Sequence, residues 1–155
     1  MSSDVPSAVP ILAAGTAGIT AGALAFGSAV DTRTLIKMID AGEDAAVKKF
    51  FSVWWPAGRD FMIPALATTT AAQLGAWLAT KDSEWLWSAG ITFSILPYTK
   101  LGMMKTITAL READNLGKEE LGKEIKTFTM LHHPRTMAAT VALGCALVAL
   151  TKAGK

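Results

Sequence analysis

Residues 5–30 read VPSAVPILAAGTAGITAGALAFGSAV, with Asp4 before them, Asp31 after them and no charged side chain between. A helix that crosses a hydrocarbon core needs about 20 predominantly apolar residues, so this stretch is long enough to do so. It does not read as a secretory leader. The preceding MSSDV is acidic where a leader is basic, and the apolar core is too long. Three further uncharged stretches follow: Phe61–Thr80 (FMIPALATTTAAQLGAWLAT), Trp85–Thr99 (WLWSAGITFSILPYT) and Thr136–Thr151 (TMAATVALGCALVALT). The last two are short for a span. Lys100, Arg135 and Lys152 extend them if their aliphatic stems lie along apolar surface with the charge in water.

Composition agrees. Charged residues are 18% of the chain, against about 25% in soluble domains, and mean hydropathy is +0.34. In lipid each backbone polar group has to be satisfied within its own segment. The reading is therefore an all-α integral membrane four-helix bundle with cytoplasmic helical extensions. It is one domain over residues 1–155, with spans at about 6–30, 60–80, 84–104 and 134–152. The lipid bilayer is its first partner. A net charge of +2 without a dense basic tract argues against nucleic acid, and a single cysteine, Cys145, excludes an internal disulfide framework.

Charge asymmetry sets the topology. With four spans, the termini and the second connection share one side and carry Lys81, Lys152 and Lys155. The first and third connections carry Arg33, Lys37, Lys48, Lys49, Arg59, Lys100, Lys105, Arg111, Lys118, Lys123, Lys126 and Arg135. Positive charge stays inside, so these connections are expected in the cytoplasm and both termini on the non-cytoplasmic side. Trp54 and Trp55 on one side, and Trp77, Trp85 and Trp87 on the other, read as two aromatic belts. Residues 43–55, EDAAVKKFFSVWW, place Val47, Phe50, Phe51, Trp54 and Trp55 at helical spacing, as in a helix lying along the membrane surface. The third connection reads as two helical extensions broken near Asn115–Gly117. In the first span, Ala13, Ala17, Ala21 and Ala25 recur every four residues, as do Ala14, Gly18 and Gly22. Small residues so spaced let a neighbouring helix approach closely, with a helix of the same chain favoured over a second copy. A homo-oligomer or a larger membrane complex stays open.

No established metal or phosphate motif is present: no CxxC, HExxH, P-loop or GxGxxG after a strand. The only two histidines, His132 and His133, are adjacent. On a helix they point about 100° apart, which disfavours a shared metal. They are either polar residues at a membrane surface or the source of one general base. The topology brings Asp31 and Arg33, Arg59 and Asp60, Tyr98, and the His132–Arg135 segment to one depth, where a ligand pocket could form. Pro134 suits the first turn of the fourth span, and Pro97 and Pro134 can each break the local helix.

Three segments together carry a resemblance: WWPAGRDFMIPALA (54–67), ILPYTKLGMMKTITAL (95–110) and LHHPRTMAATVALG (131–144). Their order and spacing resemble the anthrone-oxygenase-like family of small four-helix membrane proteins. The resemblance implies oxidation of an anthrone-type polyketide, a flat aromatic substrate, to an anthraquinone. Molecular oxygen is the co-substrate, with no flavin, haem or other organic cofactor. It further implies His132 or His133 as base, Arg135 and Tyr98 holding an oxyanion, and Asp60 orienting a partner. The location that goes with this reading is an endomembrane such as the endoplasmic reticulum. The chain departs from the family pattern at Lys105, Thr106 and Ile107, where a Pro-Thr-Asn element is common, and near Phe128 and His132, where a tryptophan and an asparagine are. These departures leave a second expectation, a non-catalytic structural or accessory subunit of a membrane assembly.

Overall fold

In the computed structural model, residues 8–153 are described. The start of the expected first span, Asp4 and Lys155 lie outside them. Four long helices fill the described chain, and it contains no strand. Helix α1 comprises Ala8–Phe26, a wide π-type turn at Gly27–Asp31 and Thr32–Asp40. Helix α2 is Asp44–Thr80. Helix α3 comprises Ser83–Tyr98, a second π-type turn at Thr99–Met103 and Met104–Arg111. Helix α4 is Lys118–Ala153. They pack as a ring in chain order, with α4 closing against α1.

The connections are short and locally determined. After α1, Glu43 N–H bonds the Met38 carbonyl and Gly42 N–H bonds that of Ile39, with Gly42 at φ +79°. This is the left-handed glycine cap that stops a helix. Between α2 and α3, Lys81 adopts φ 60°. Its ammonium sits 5.4 Å from the Trp77 ring centroid, a cation–π contact that favours the turn. Between α3 and α4 lies a single 3-10 turn, Ala113–Asn115, so the expected break near Asn115–Gly117 is found.

The bundle has two halves packed on opposite rules. In the half nearer the described termini the interior is made of small residues. Ala13, Ala17, Ala76, Ala146 and Ala149 surround Trp85, and Ala21 and Ala139 lie beside Leu24, Leu66 and Ile95. The large apolar side chains Ile11, Leu12, Ile19, Leu78, Trp87, Phe93, Val141 and Leu147 face outward. Buried hydroxyls and amides join the helices. Thr69 Oγ1 donates to the Thr16 carbonyl and lies 2.9 Å from Thr20 Oγ1. Gln73 Nε2 donates to Ser88 Oγ, which donates to the Ala142 carbonyl. Small residues with polar cross-links are how helices associate where no water drives them together.

In the other half the large residues turn inward. Leu35, Val47, Phe51, Met103, Ile107, Leu121, Ile125 and Phe128 form one core, while lysines and glutamates face outward. This is the arrangement of a water-soluble bundle.

Two helices, Ala8–Asp40 and Lys118–Lys152, are long and apolar enough to cross a membrane. The uncharged stretches of α2 and α3 form helices as expected, but their inward-facing Thr69, Gln73, Ser88 and Thr92 dilute the mean hydropathy.

Other expectations are corrected. Residues 43–55 do not lie along a surface: from Asp44 they form the start of α2, with Val47, Phe51 and Trp55 in the core. Pro134 does not open a helix but sits inside α4, as Pro56 and Pro64 sit inside α2. Packing against neighbouring helices and nearby hydroxyls re-satisfies freed backbone groups and carries a helix through proline. The tryptophan belts also fail in part. Trp55 and Trp85 are buried and Trp54 is half-buried; Trp87 alone of the five is exposed. Of the small residues in α1, Ala13, Ala14, Ala17 and Ala21 pack inside the chain as expected, whereas Gly15, Gly18 and Gly22 meet nothing.

Phe128 is fully buried and presents its ring edge-on to Phe51, Trp54 and Trp55 at 5.3–6.1 Å. Truncation at such a site costs about 3–5 kcal/mol. Phe128→Ala should therefore lower the thermal unfolding midpoint of the detergent-purified protein by several degrees or more. Leu101→Ala, at a side chain 85% exposed, should leave the midpoint unchanged.

Candidate active site

The two π-type turns lie where the two packing rules meet, and together they build a site. In α1 the Thr32 N–H bonds the carbonyl of Gly27, five residues back. The Ser28 carbonyl, which a regular α-turn would give to that N–H, accepts the Thr32 hydroxyl instead, at 2.7 Å. The extra residue turns Gly27 and Ser28 into the bundle, where both are buried. Such widened turns recur at functional sites because they re-aim side chains without ending the helix. In α3 the second wide turn follows Pro97. Gly102 lies against the Tyr98 ring, with ring atoms 3.6–3.9 Å from where a β-carbon would stand. The Tyr98 hydroxyl donates to the Leu131 carbonyl at 3.1 Å, three residues before Pro134 in α4.

Proton bookkeeping fixes the orientation of His132. Thr136 Oγ1 donates to the Leu24 carbonyl at 3.1 Å. Having one hydrogen, it can only accept from Ser28 Oγ, 2.6 Å away. Ser28 has then spent its own hydrogen and must accept from His132 Nδ1 at 2.8 Å. The chain runs His132 Nδ1–H to Ser28 to Thr136 to a main-chain carbonyl. A neutral imidazole so held carries its lone pair on Nε2. That nitrogen lies 3.5 Å, and Asp31 Oδ2 3.9 Å, from the position a β-carbon on Gly27 would take. The absence of a side chain at Gly27 leaves the space between them open. Asp31 Oδ2 is itself held by Trp54 Nε1 at 2.8 Å, and the Phe128 ring packs beside His132 at 5.7 Å.

Arg135, one turn on from His132, is 5% exposed. No carboxylate reaches it among the described residues. Its Nη1 touches only Met103 Sδ at 3.9 Å, and its Nε is buried with no partner. Burying an ion costs several kcal/mol unless something answers it. The guanidinium lines two adjoining cavities. One, of about 130 Å³, is lined by Gly27, Asp31, Trp54 and His132. The other, of about 490 Å³, is lined by Met62, Leu96, Pro97 and Met104. Trp55, Arg59, Met62 and Arg135 line both. The larger falls within the roughly 300–1,000 Å³ of small-molecule sites. The arrangement offers a proton acceptor at one end, a cation in the shared wall and an apolar chamber beyond.

Of the residues expected from sequence, His132 and Arg135 come together and Tyr98 stands behind them, on the carbonyl of Leu131. His133 and Asp60 do not join them. His133 is exposed. Asp60 is exposed as well and pairs with its neighbour Arg59 at 2.7 Å, on the wall of a separate outer groove with Thr16 and Phe61. Ser28, Thr136 and Gly27 escaped the sequence reading. All three are small residues inside or beside apolar stretches, without a signal of their own. Trp54 read as a membrane anchor because its partner, Asp31, is 23 residues away.

Among known proteins, a family profile described as anthrone oxygenase matches residues 51–145, well over half the chain. That stretch contains Tyr98, His132 and Arg135, while Gly27, Ser28 and Asp31 on α1 lie outside it. No curated protein and no solved structure matches.

The hydrogen-bond chain has a spectroscopic signature. Nitrogen-15 NMR of His132 should give a protonated Nδ1 and an unprotonated Nε2. Ser28→Ala should remove that preference while leaving the His133 signals in place.

Proposed function

The chain belongs to the anthrone oxygenase family, and from its site we propose that it is a cofactor-independent oxygenase acting on an anthrone-type aromatic. The observation that carries this reading is Arg135, a buried guanidinium with an unpartnered Nε, one turn from a histidine whose Nε2 is left as acceptor. An anthrone becomes a resonance-stabilised anion when its central methylene loses a proton, and that anion is what such a pair is built to make and hold.

In the proposed reaction His132 Nε2 takes the methylene proton and the Ser28–Thr136 chain fixes the ring. Arg135 receives the negative charge on the substrate's carbonyl oxygen. The carbanion, now electron-rich, transfers an electron to molecular oxygen, and the two radicals combine at the central carbon. The imidazolium returns its proton to give a hydroperoxide on that carbon. Loss of the remaining hydrogen on the carbon, with cleavage of the O–O bond, leaves the quinone carbonyl and releases water. One oxygen atom enters the product and the other leaves as water, and the four electrons that reduce oxygen all come from the substrate's central carbon. Tyr98 positions the Leu131 turn and thereby His132 and Arg135. The substrate's flat body lies in the larger cavity, between Trp55, Met62 and Leu96.

The setting proposed is an endomembrane such as the endoplasmic reticulum, with the site at the cytoplasmic level and the termini on the opposite side. Three features support it. Large apolar residues cover the outside of the uncharged half, two helices are apolar enough to cross, and cationic residues gather toward the other half. A flat apolar substrate that partitions into lipid would reach the site from the bilayer. The anthrone, molecular oxygen and the surrounding lipid are then the partners, without nucleic acid.

Oxygen consumption by the purified protein given an anthrone, above the spontaneous rate, tests the reading. His132→Ala should lower the rate by about 10²–10⁴-fold, the usual contribution of a positioned base, and Arg135→Met by about 10²–10³-fold. His133→Ala should leave it unchanged. Gly27→Ala brings a methyl group to ordinary contact with the imidazole. It should preserve folding yet depress turnover. A wild-type rate no higher than background would sink the enzyme reading in favour of an accessory subunit.

A further inference from the structure

The larger cavity has a charge pattern that proton abstraction does not use. Around its apolar wall stand four cationic side chains, Arg59, Lys100, Arg111 and Arg135, and no carboxylate lines it. Arg59 is paired outward with Asp60. Lys100 and Arg111 make no ion pair among the described residues. Lys100 belongs to the second π-type turn of α3 and Arg111 ends the same helix. A single oxyanion on Arg135 answers one of these charges and leaves Lys100 and Arg111 unanswered at the exposed rim of the chamber. Low-dielectric walls beside a cavity mouth focus the field of charges of one sign gathered there.

We infer that this chamber is a binding site for an amphipathic aromatic anion: its ring system lies on Met62, Leu96, Pro97 and Met104, and a second acid group, apart from the reacting carbonyl, is held by Lys100 and Arg111. The inference deepens the oxygenase reading and rests on it for the aromatic body of the ligand, but not for the acid group. The shared chemistry is an oxyanion on an apolar body. Its source is either a carboxylated substrate entering from the cytoplasm or the headgroup of an anionic lipid lying alongside the bundle. Lysine and arginine differ here in a useful way. Lys100 is a point charge, and Arg111 offers the planar fork that matches a carboxylate or phosphate.

Binding is read as quenching of tryptophan fluorescence, with Trp55 in the cavity wall, using full-length protein in phosphatidylcholine nanodiscs. The probes are anthraquinone-2-carboxylate and its neutral carboxamide. The wild type should bind the carboxylate at least about tenfold more tightly, as expected for a charge-assisted contact at the mouth of an apolar cavity. The Lys100→Gln, Arg111→Gln double variant should bind both probes alike. Both positions are exposed, and retained binding of the carboxamide shows that the variant is folded and its chamber intact. Equal affinities in the wild type, or a carboxylate preference that survives in the double variant, overturns the inference.

Repeating the titration with phosphatidylserine in the disc assigns the source. Weakened carboxylate binding in the wild type but not in the double variant means that the lipid headgroup competes for the same cations. Unchanged binding means that a soluble acid is the natural occupant, and either result retains the anion site. Oxygen uptake by the wild type with a neutral anthrone separates the two proposals. A wild type that prefers the carboxylate yet consumes no oxygen would refute the oxygenase and leave the anion site standing.

Discussion

Alanine and hydroxyl side chains fill the interior of half this bundle, and the rest of the molecule inherits the spacing they impose. Where Ala13, Ala17, Ala76 and Ala146 meet, backbones can approach closely. Thr20 with Thr69, and Gln73 with Ser88, fix the rotation of each helix against the next. Beyond Leu24 the interior changes to phenylalanine, tryptophan and methionine, which need more room. The two π-type turns, at Gly27–Asp31 and Thr99–Met103, fall at this change. Each inserts one residue so that a helix packed by alanine on one side of the seam can be packed by aromatics on the other. The cavities open at that seam because neither packing rule fills it.

The polar groups at the seam follow from the same geometry. Ser28 reaches α4 only because its turn is widened, and it meets Thr136 and His132, one turn apart on α4. Arg135 lies on the same side as His132, three residues on, and is buried with it. His133 and Pro134 between them face out. A straight α1 would give the Ser28 carbonyl to the Thr32 N–H, where the widened turn gives that N–H to Gly27. The site is therefore a property of the interface between two packing regimes. That is why its parts come from α1 and α4 with support from Trp54 on α2 and Tyr98 on α3.

Much of the fold was legible because its signals are local. Four uncharged stretches and the polar break near Asn115 can each be read within a window of 20 residues. The prolines were misleading for the opposite reason. Whether Pro134 opens a helix or sits inside one depends on the neighbours that hold the chain on both sides, and those are not in the window. Helical phase was the main loss at the site. His132 and His133 are equivalent in sequence, and only the rotation of α4 in the bundle, fixed by Ser28 and Leu24, buries one and exposes the other. Asp60 was misjudged in the same way: it sits at a suitable depth, but its face of α2 points out. Ser28 and Gly27 carried no sequence signal because a serine and a glycine inside an apolar helix are ordinary.

The hydroxyl chain behind His132 has a terminus of a particular kind. It ends on the carbonyl of Leu24, a group with lone pairs and no exchangeable hydrogen. A relay that ended in water would let the imidazole exchange protons with the bulk phase through its back. This one is closed at the far end, so any proton that His132 acquires through Nε2 has a single way out, the face by which it arrived. A base wired in this manner keeps a closed account with whatever occupies the cavity, and hydrogen taken from a ligand stays with that ligand's products.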